Sequence, residues 1–199
     1  MNSFSVQRRN QMKILLIAAI SILPFIAAWL YTLHPEWLGS RGNYGRLVTP
    51  ALPMNYSEML EQPVANRTAG EALPGRWVMV MVTGDQCGDD CLELVSKTYQ
   101  LRLMLNKETL RVRRLLLMDG TGFSAGLQQW LSHDDQLAIA LLKPGVRRLL
   151  EQANGGDLQP GQILLLDPEA NLMMVYQAGF DPYGVLRDLK HLLRASQIG

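Results

Sequence analysis

The chain has 199 residues, 48% of them hydrophobic, a formal net charge of +1 and two cysteines. That length supports one folded domain plus an appendage. The near-neutral balance lacks the basic excess that a nucleic-acid partner demands, and two cysteines cannot build a disulfide-rich framework or a four-cysteine zinc site.

Residues 1–13 are polar, carry Arg8, Arg9 and Lys13, and include no acidic residue; they read as a cytoplasmic tail. Ile14 to Leu33 follows without a single charge. At 1.5 Å per residue this stretch matches a hydrocarbon core of about 30 Å, and it is read as a transmembrane anchor over 14–33. Pro24 inside it predicts a kink rather than a break. Trp29, Tyr31 and Trp37 near its far end suit an interfacial aromatic belt. The positive flank keeps the N-terminus in the cytoplasm and sends everything after Leu33 across the membrane. A cleaved signal peptide fits less well, because Ala27-Ala28 is followed by Trp29, Leu30 and Tyr31, a poor cleavage site.

Residues 34–72 read as an extended linker, punctuated by Gly39, Gly42, Gly45, Pro50, Pro53, Pro63 and Gly70. Asn55-Tyr56-Ser57 and Asn66-Arg67-Thr68 match the glycosylation sequon, a pattern common by chance. A folded domain is expected over 73–199. Arg76 to Thr83 predicts a buried strand and Asp90 to Asn106 a helix. Val112 to Met118 predicts a second strand, and Ser124 to Leu131 a second helix. Ser132 with Asp135 three residues later predicts a capped helix over Asp134 to Leu142, and Val146 to Ala153 a further short one. Ile163 to Leu166 and Leu172 to Tyr176 read as strands joined by a tight turn. Asp181 caps, and Pro182 opens, a last helix running to Ala195. The order β-α-β-α-β-β-α is the pattern of an α/β, thioredoxin-like fold, here preceded by one N-terminal transmembrane helix.

Between the first strand and the first helix of that domain stands Gly84-Asp85-Gln86-Cys87-Gly88-Asp89-Asp90-Cys91. A helix N-terminus favours a thiolate, whereas the charges of Asp89 and Asp90 oppose one. Residues four apart on one helical face are separated by about 6 Å, within disulfide reach. Three chemistries stay open: a pair cycling between dithiol and disulfide, two thiolates holding one soft metal ion, and a static disulfide bracing the turn. The strand-to-helix position favours the reactive reading, since structural bridges gain most from closing long loops. Cys87, nearer the helix start and expected to be the more exposed, is assigned the attack, and Cys91 the resolving step.

Together with the anchor, the CxxxC spacing of Cys87 and Cys91 and the stretches Leu164–Tyr176, Gly179–Pro182 and Leu189–Leu193 resemble Sco/SenC-type proteins. The resemblance covers residues 73–195. It implies a thioredoxin-like domain in the periplasm, tethered to the bacterial inner (cytoplasmic) membrane, that assists assembly of a respiratory cytochrome oxidase. The implied partner is an oxidase subunit or another assembly factor. The family's copper site, as the resemblance implies, uses both thiolates, here Cys87 and Cys91, and a histidine shortly before the strand that ends in Asp-Pro. The corresponding segment, Gly156 to Ile163, contains no histidine and places Gln159 there, a donor that does not match imidazole for copper.

His34 reads as interfacial, His133 as solvated beside Asp134 and Asp135, and His191 as a cation suited to a helix C-terminus. Met79, Met81, Met173 and Met174 are soft donors that read first as core packing. Pro160 is expected to be the cis-proline that this fold sets opposite its cysteines. Arg111, Arg113 and Arg114 are expected to form a solvated sheet edge. The leading reading is a tethered thiol–disulfide exchange protein acting in oxidase assembly. Its alternatives are a copper metallochaperone using the same thiolates and a non-catalytic assembly scaffold with a structural disulfide.

Overall fold

A computed structural model describes residues 3–34, 42–61 and 63–196. They divide into two units, Met1–Gly42 and Asn43–Gly199. The first is built on helix α1 (Ser3–Leu33), which contains Pro24 within its length. Its segment Gln11–Leu33, with mean hydropathy 2.4, is long and apolar enough to cross a membrane. Two hydroxyls inside that segment are satisfied locally, Ser21 donating to the Ile17 carbonyl and Thr32 to that of Trp29. Trp37, expected in the aromatic belt, lies outside the described residues.

The second unit is a mixed seven-stranded sheet covered by helices on both faces. In chain order it runs β1 (Arg46–Pro53), α2 (Tyr56–Met59), β2 (Pro63–Ala65), α3 (Arg67–Glu71), β3 (Trp77–Thr83) and α4 (Asp89–Leu103). After a 3-10 turn over 106–111 come β4 (Val112–Met118), α5 (Ala125–Leu131), β5 (Leu137–Leu141) and α6 (Pro144–Asn154). The chain closes with β6 (Ile163–Leu166), β7 (Asn171–Tyr176) and α7 (Pro182–Ala195). Across the sheet the order is β1-β7-β6-β3-β4-β5-β2. β3 lies at its centre, parallel to β4 and antiparallel to β6.

All seven residues of β3 are buried, because successive side chains enter opposite layers. Met79 and Met81 join Leu94, Val95, Leu101 and Leu189 from α4 and α7 on one face. Val78, Val80 and Val82 join Met59, Leu73, Val146 and Leu150 on the other. A strand covered on both faces must read as an unbroken apolar run, which is why its sequence announces it. The last helix starts where its sequence says, with the Asp181 carboxylate accepting from the Tyr183 and Gly184 N–H groups at 3.1 Å each.

Three expectations fail. The stretch read as a linker supplies both edge strands: β1 pairs with β7, and β2 with β5. It also places Met54, Met59 and Ala69 in the core. Pro50, Pro53 and Pro63 disguised these strands, yet proline is tolerated at a sheet edge, where an N–H needs no ladder partner. Both sequon asparagines serve the fold. Asn55 Oδ1 accepts from the Ser57 N–H at 2.9 Å to cap α2. Asn66, in the left-handed region at φ 51°, donates to the carbonyls of Asp134 and Leu137 at 3.2 and 3.0 Å. At the entry to β1, the Tyr44 and Gly45 N–H groups donate to the buried Asp188 carboxylate of α7 at 3.0 and 2.8 Å.

Residues 134–142 are not a helix. Ser132 ends α5, and Leu137–Leu141 forms β5, parallel to β4 with Leu137 to Ala140 buried. Leu-Ala-Ile-Ala has no polar face to offer solvent, so an interior strand suits it and an amphipathic helix does not. From β3 onward the order is therefore β-α-β-α-β-α-β-β-α, an α/β thioredoxin-like arrangement with one more parallel strand than expected.

The arginines are no solvated edge, because β4 lies inside the sheet. Arg114 is fully buried, pairs with Asp134, and sits 5.2 Å from the centre of the Tyr99 ring. Burial lowers its pKa, and the Asp134 charge opposes that fall. Arg111 donates to the carbonyls of Leu193 and Ser196 at 2.9 and 2.8 Å, near the end of α7.

Candidate functional site

At the end of β3 the chain turns over Gly84 to Gly88, and α4 begins at Asp89 with Gly88 as its N-cap. Gly88 brings no side-chain oxygen to that helix start. Cys91 falls in the first turn of α4 and Cys87 just before the cap; the two are joined by a disulfide, with Cα atoms 5.0 Å apart.

A neighbouring loop holds this turn. The Cys87 N–H donates to the Gly122 carbonyl at 3.3 Å, and the Gly122 N–H donates to the Asp85 carbonyl at 3.4 Å. Gln86 and Gly122 form an isolated parallel bridge. Gly120 must be glycine at this approach, since a Cβ there would stand 2.6 Å from the Asp85 carbonyl oxygen. The sequence reading missed this loop. Its one signal was Gly120 and Gly122 spaced two apart directly after β4.

The exposures of the two sulfur-bearing residues reverse the expectation. Cys87 is 0% exposed and Cys91 5%, and both belong to the same core cluster as Met118 and Leu127. Cys91 lines an open cleft of about 520 Å³ together with Gly84, Asp89, Asp90, Leu94 and Pro160. Cys87 does not line it, and its backbone is bridged to the 120–122 loop. Pro160 stands across the cleft as anticipated, but its peptide bond is trans; the cis bond among the described residues is Thr49–Pro50. The ionisable groups lining the cleft are Asp89 and Asp90, both exposed. An adjoining depression shares Asp90, Leu94 and Pro160 and runs on to Lys97 and Phe180.

The other soft donors are occupied elsewhere. Met81 Sδ accepts from the Thr98 hydroxyl at 3.0 Å, and Met174 Sδ from the Tyr176 hydroxyl at 3.6 Å. Met79 is fully buried in the sheet, and Met173 packs against the same core. His133 is exposed, with Nδ1 2.9 Å from the Gln129 carbonyl, and it lines a separate depression with Leu92 and Trp130. His191 is exposed on α7, and His34 follows α1 in the other unit. Gln159 is exposed, and its backbone N–H donates to Gln162 Oε1 at 2.8 Å. Among the described residues, no group of three or more His, Cys, Asp or Glu side chains is placed to hold a metal ion. Among the described residues the cleft beside the two sulfurs offers a copper ion no histidine, so the residues present do not fit the copper site that the resemblance implied.

The sequence profile of the family described as "Transmembrane-like, thioredoxin-like, C-terminal domain" matches residues 77–196, more than half of the chain. The chain belongs to this family. The matched region of this thioredoxin-like family member starts at β3 and ends just past α7, so it takes in the disulfide and the cleft. Among solved structures it is similar to BsSco, a member of the Sco family of cytochrome c oxidase assembly proteins, at 14% identity over 63% of this chain and 85% of that one, with a TM-score of 0.46. It is also similar to the thioredoxin domain of a thiol-disulfide oxidoreductase from Bacteroides vulgatus (12% identity, 62% and 83% coverage, TM-score 0.43). A third likeness is Arabidopsis thaliana ScoI with copper bound (13% identity, 61% and 88% coverage, TM-score 0.41). No curated protein matches the sequence.

Proposed function

We propose that this thioredoxin-like protein carries out thiol–disulfide exchange through Cys87 and Cys91 while tethered to the bacterial cytoplasmic membrane, with its folded domain in the periplasm. The observation that carries this reading is the placement of Cys91 in an open cleft at the start of α4, bonded to a sulfur buried behind it. A purely bracing disulfide has no need of a cleft. It also gains little here, since closing so short a loop is worth roughly 2 kcal/mol in the chain-entropy account. Arg8, Arg9 and Lys13 before the apolar segment support a cytoplasmic N-terminus. The process served, assembly of a respiratory cytochrome oxidase, is taken from the resemblance to Sco/SenC-type proteins. The partner is then an oxidase subunit or assembly factor bearing a cysteine pair.

In cells lacking the protein, a Cys87→Ser/Cys91→Ser double variant is expected to reach the membrane in normal amount and fail to restore oxidase activity. Full restoration would leave the scaffold reading standing and this one overturned. Copper delivery is disfavoured because no histidine lines the cleft beside the cysteine pair. Cu(II) added anaerobically to the reduced full-length protein in detergent is therefore expected to leave no lasting thiolate-to-copper absorption. A stable band at one ion per chain would reverse that conclusion.

A further inference from the structure

We infer that the outer face of α7 docks on an anionic phospholipid surface and holds the domain against the membrane to which it is tethered. This docking presupposes the tether proposed above and is independent of the exchange chemistry. Along α7, Val185, Leu186, Leu189 and Leu193 are buried in the core. On the opposite side Tyr183, Arg187, Lys190 and Arg194 are all exposed. At 3.6 residues per turn these four fall within an arc of about 60°, and the stripe runs roughly 16 Å along the axis. It carries three positive charges and no negative one. The acid of α7, Asp188, is buried and accepts from the Tyr44 and Gly45 N–H groups.

Elsewhere in the domain basic side chains are matched. Arg67, Lys97, Arg111, Arg114, Lys143 and Arg147 each pair with a carboxylate. Among the described residues Arg187, Lys190 and Arg194 pair with none. Three like charges along one face repel each other, and a surface of opposite charge relieves that repulsion. Tyr183, 72% exposed at one end of the stripe, suits the interfacial region of a bilayer. Connectivity brings this face within reach. Residues 34–43 join the apolar segment that ends at Leu33 to Tyr44, and fully extended they span at most about 35 Å. Tyr44 is fixed to α7: its N–H donates to Asp188 at 3.0 Å, its hydroxyl accepts from the Asp181 N–H at 2.6 Å, and a Cβ on Gly184 would fall 2.4 Å from its ring. The chain therefore enters the domain at α7. Each basic side chain close to an anionic membrane strengthens attachment roughly fivefold. A short tether keeps the bilayer at high effective concentration, so three charges suffice. That is why the bilayer, rather than an acidic protein, is assigned as the occupant.

The test uses the full-length protein in lipid nanodiscs, with the photo-crosslinker p-benzoylphenylalanine in place of the exposed Tyr183. In discs containing phosphatidylglycerol, irradiation is expected to attach phospholipid at position 183, read by mass spectrometry. The yield is expected to fall at least about tenfold in discs of phosphatidylcholine alone, and as far in a variant carrying Arg187→Gln, Lys190→Gln and Arg194→Gln. Added salt is expected to lower it too. The same probe in place of Arg148, exposed on α6 against the other face of the sheet, is expected to capture little lipid in either disc. No phospholipid at position 183, or equal yields from the two positions, from the two lipid compositions, or with and without the three charges, overturns the docking and leaves the tether standing. Adducts at position 183 with an acidic protein in place of lipid, in native membranes, overturn it as well. A protein that does not stay with the discs brings down the tether and the docking together.

Discussion

Replacing Asp134 with alanine is expected to destabilise the folded domain by about 3–5 kcal/mol, the cost of stranding one member of a buried ion pair. Arg114 has no exposed side-chain surface and Asp134 only 4%. The Asp134 carboxylate also accepts from Trp130 Nε1 at 3.2 Å and from the Gln136 N–H at 3.3 Å. Without it, the guanidinium keeps one long bond to the Val95 carbonyl, 3.4 Å, and the face of Tyr99. The Arg102 guanidinium stands near, its pKa lowered chiefly by burial and further by the Arg114 charge, so this neighbour adds repulsion. Replacing the pair together, Arg114→Met with Asp134→Leu, is expected to recover most of the loss, since an apolar pair of similar volume needs no solvation. Chemical denaturation of the three proteins checks both statements. A single Asp134→Ala variant within 1 kcal/mol of wild type, roughly the worth of an exposed pair, would show the site to be solvated.

Gly120→Ala is expected to cost about 1–3 kcal/mol and to disturb exchange as well. The added Cβ would stand 2.6 Å from the Asp85 carbonyl oxygen and 3.0 Å from its Cα, backbone atoms with no rotamer to escape into. The two loops must separate, and the loop that gives way carries Cys87, whose N–H is held by Gly122. The rate of exchange with cysteamine should therefore change in Gly120→Ala. It should not change in an equally destabilised core variant remote from the turn, such as Leu150→Ala on the opposite face. Equal behaviour of the two variants would reduce the loop's role to stability alone.

What the sequence disclosed and what it hid follow from the physics of each element. β3 and β6 are buried on both faces, so their apolar runs revealed them, while β4 showed itself through Leu115 to Met118 and β7 through Leu172 to Tyr176. The last helix carried its own punctuation in Asp181 and Pro182. β1 and β2 are edge strands containing proline, and no residue of β1 is fully buried, so it left no period to read. β5 was misread because Ser132 and Asp135 imitate a cap, while the carboxylate that matters, Asp134, turns inward to Arg114 across twenty residues of chain. The disulfide was legible from spacing and position. Which of the two residues lines the cleft was not, and neither was the bridge to the 120–122 loop, a contact between segments far apart in sequence.

An exchanged Cys87–Cys91 pair differs from a permanent one in its reduction potential, which measures the difference directly. The full-length protein in detergent would be equilibrated with graded dithiol/disulfide buffers, acid-quenched and alkylated. The predicted potential lies above about −300 mV, in the range of disulfides that open and close in service. A value below that limit would mark the bond as a structural brace and contradict the account.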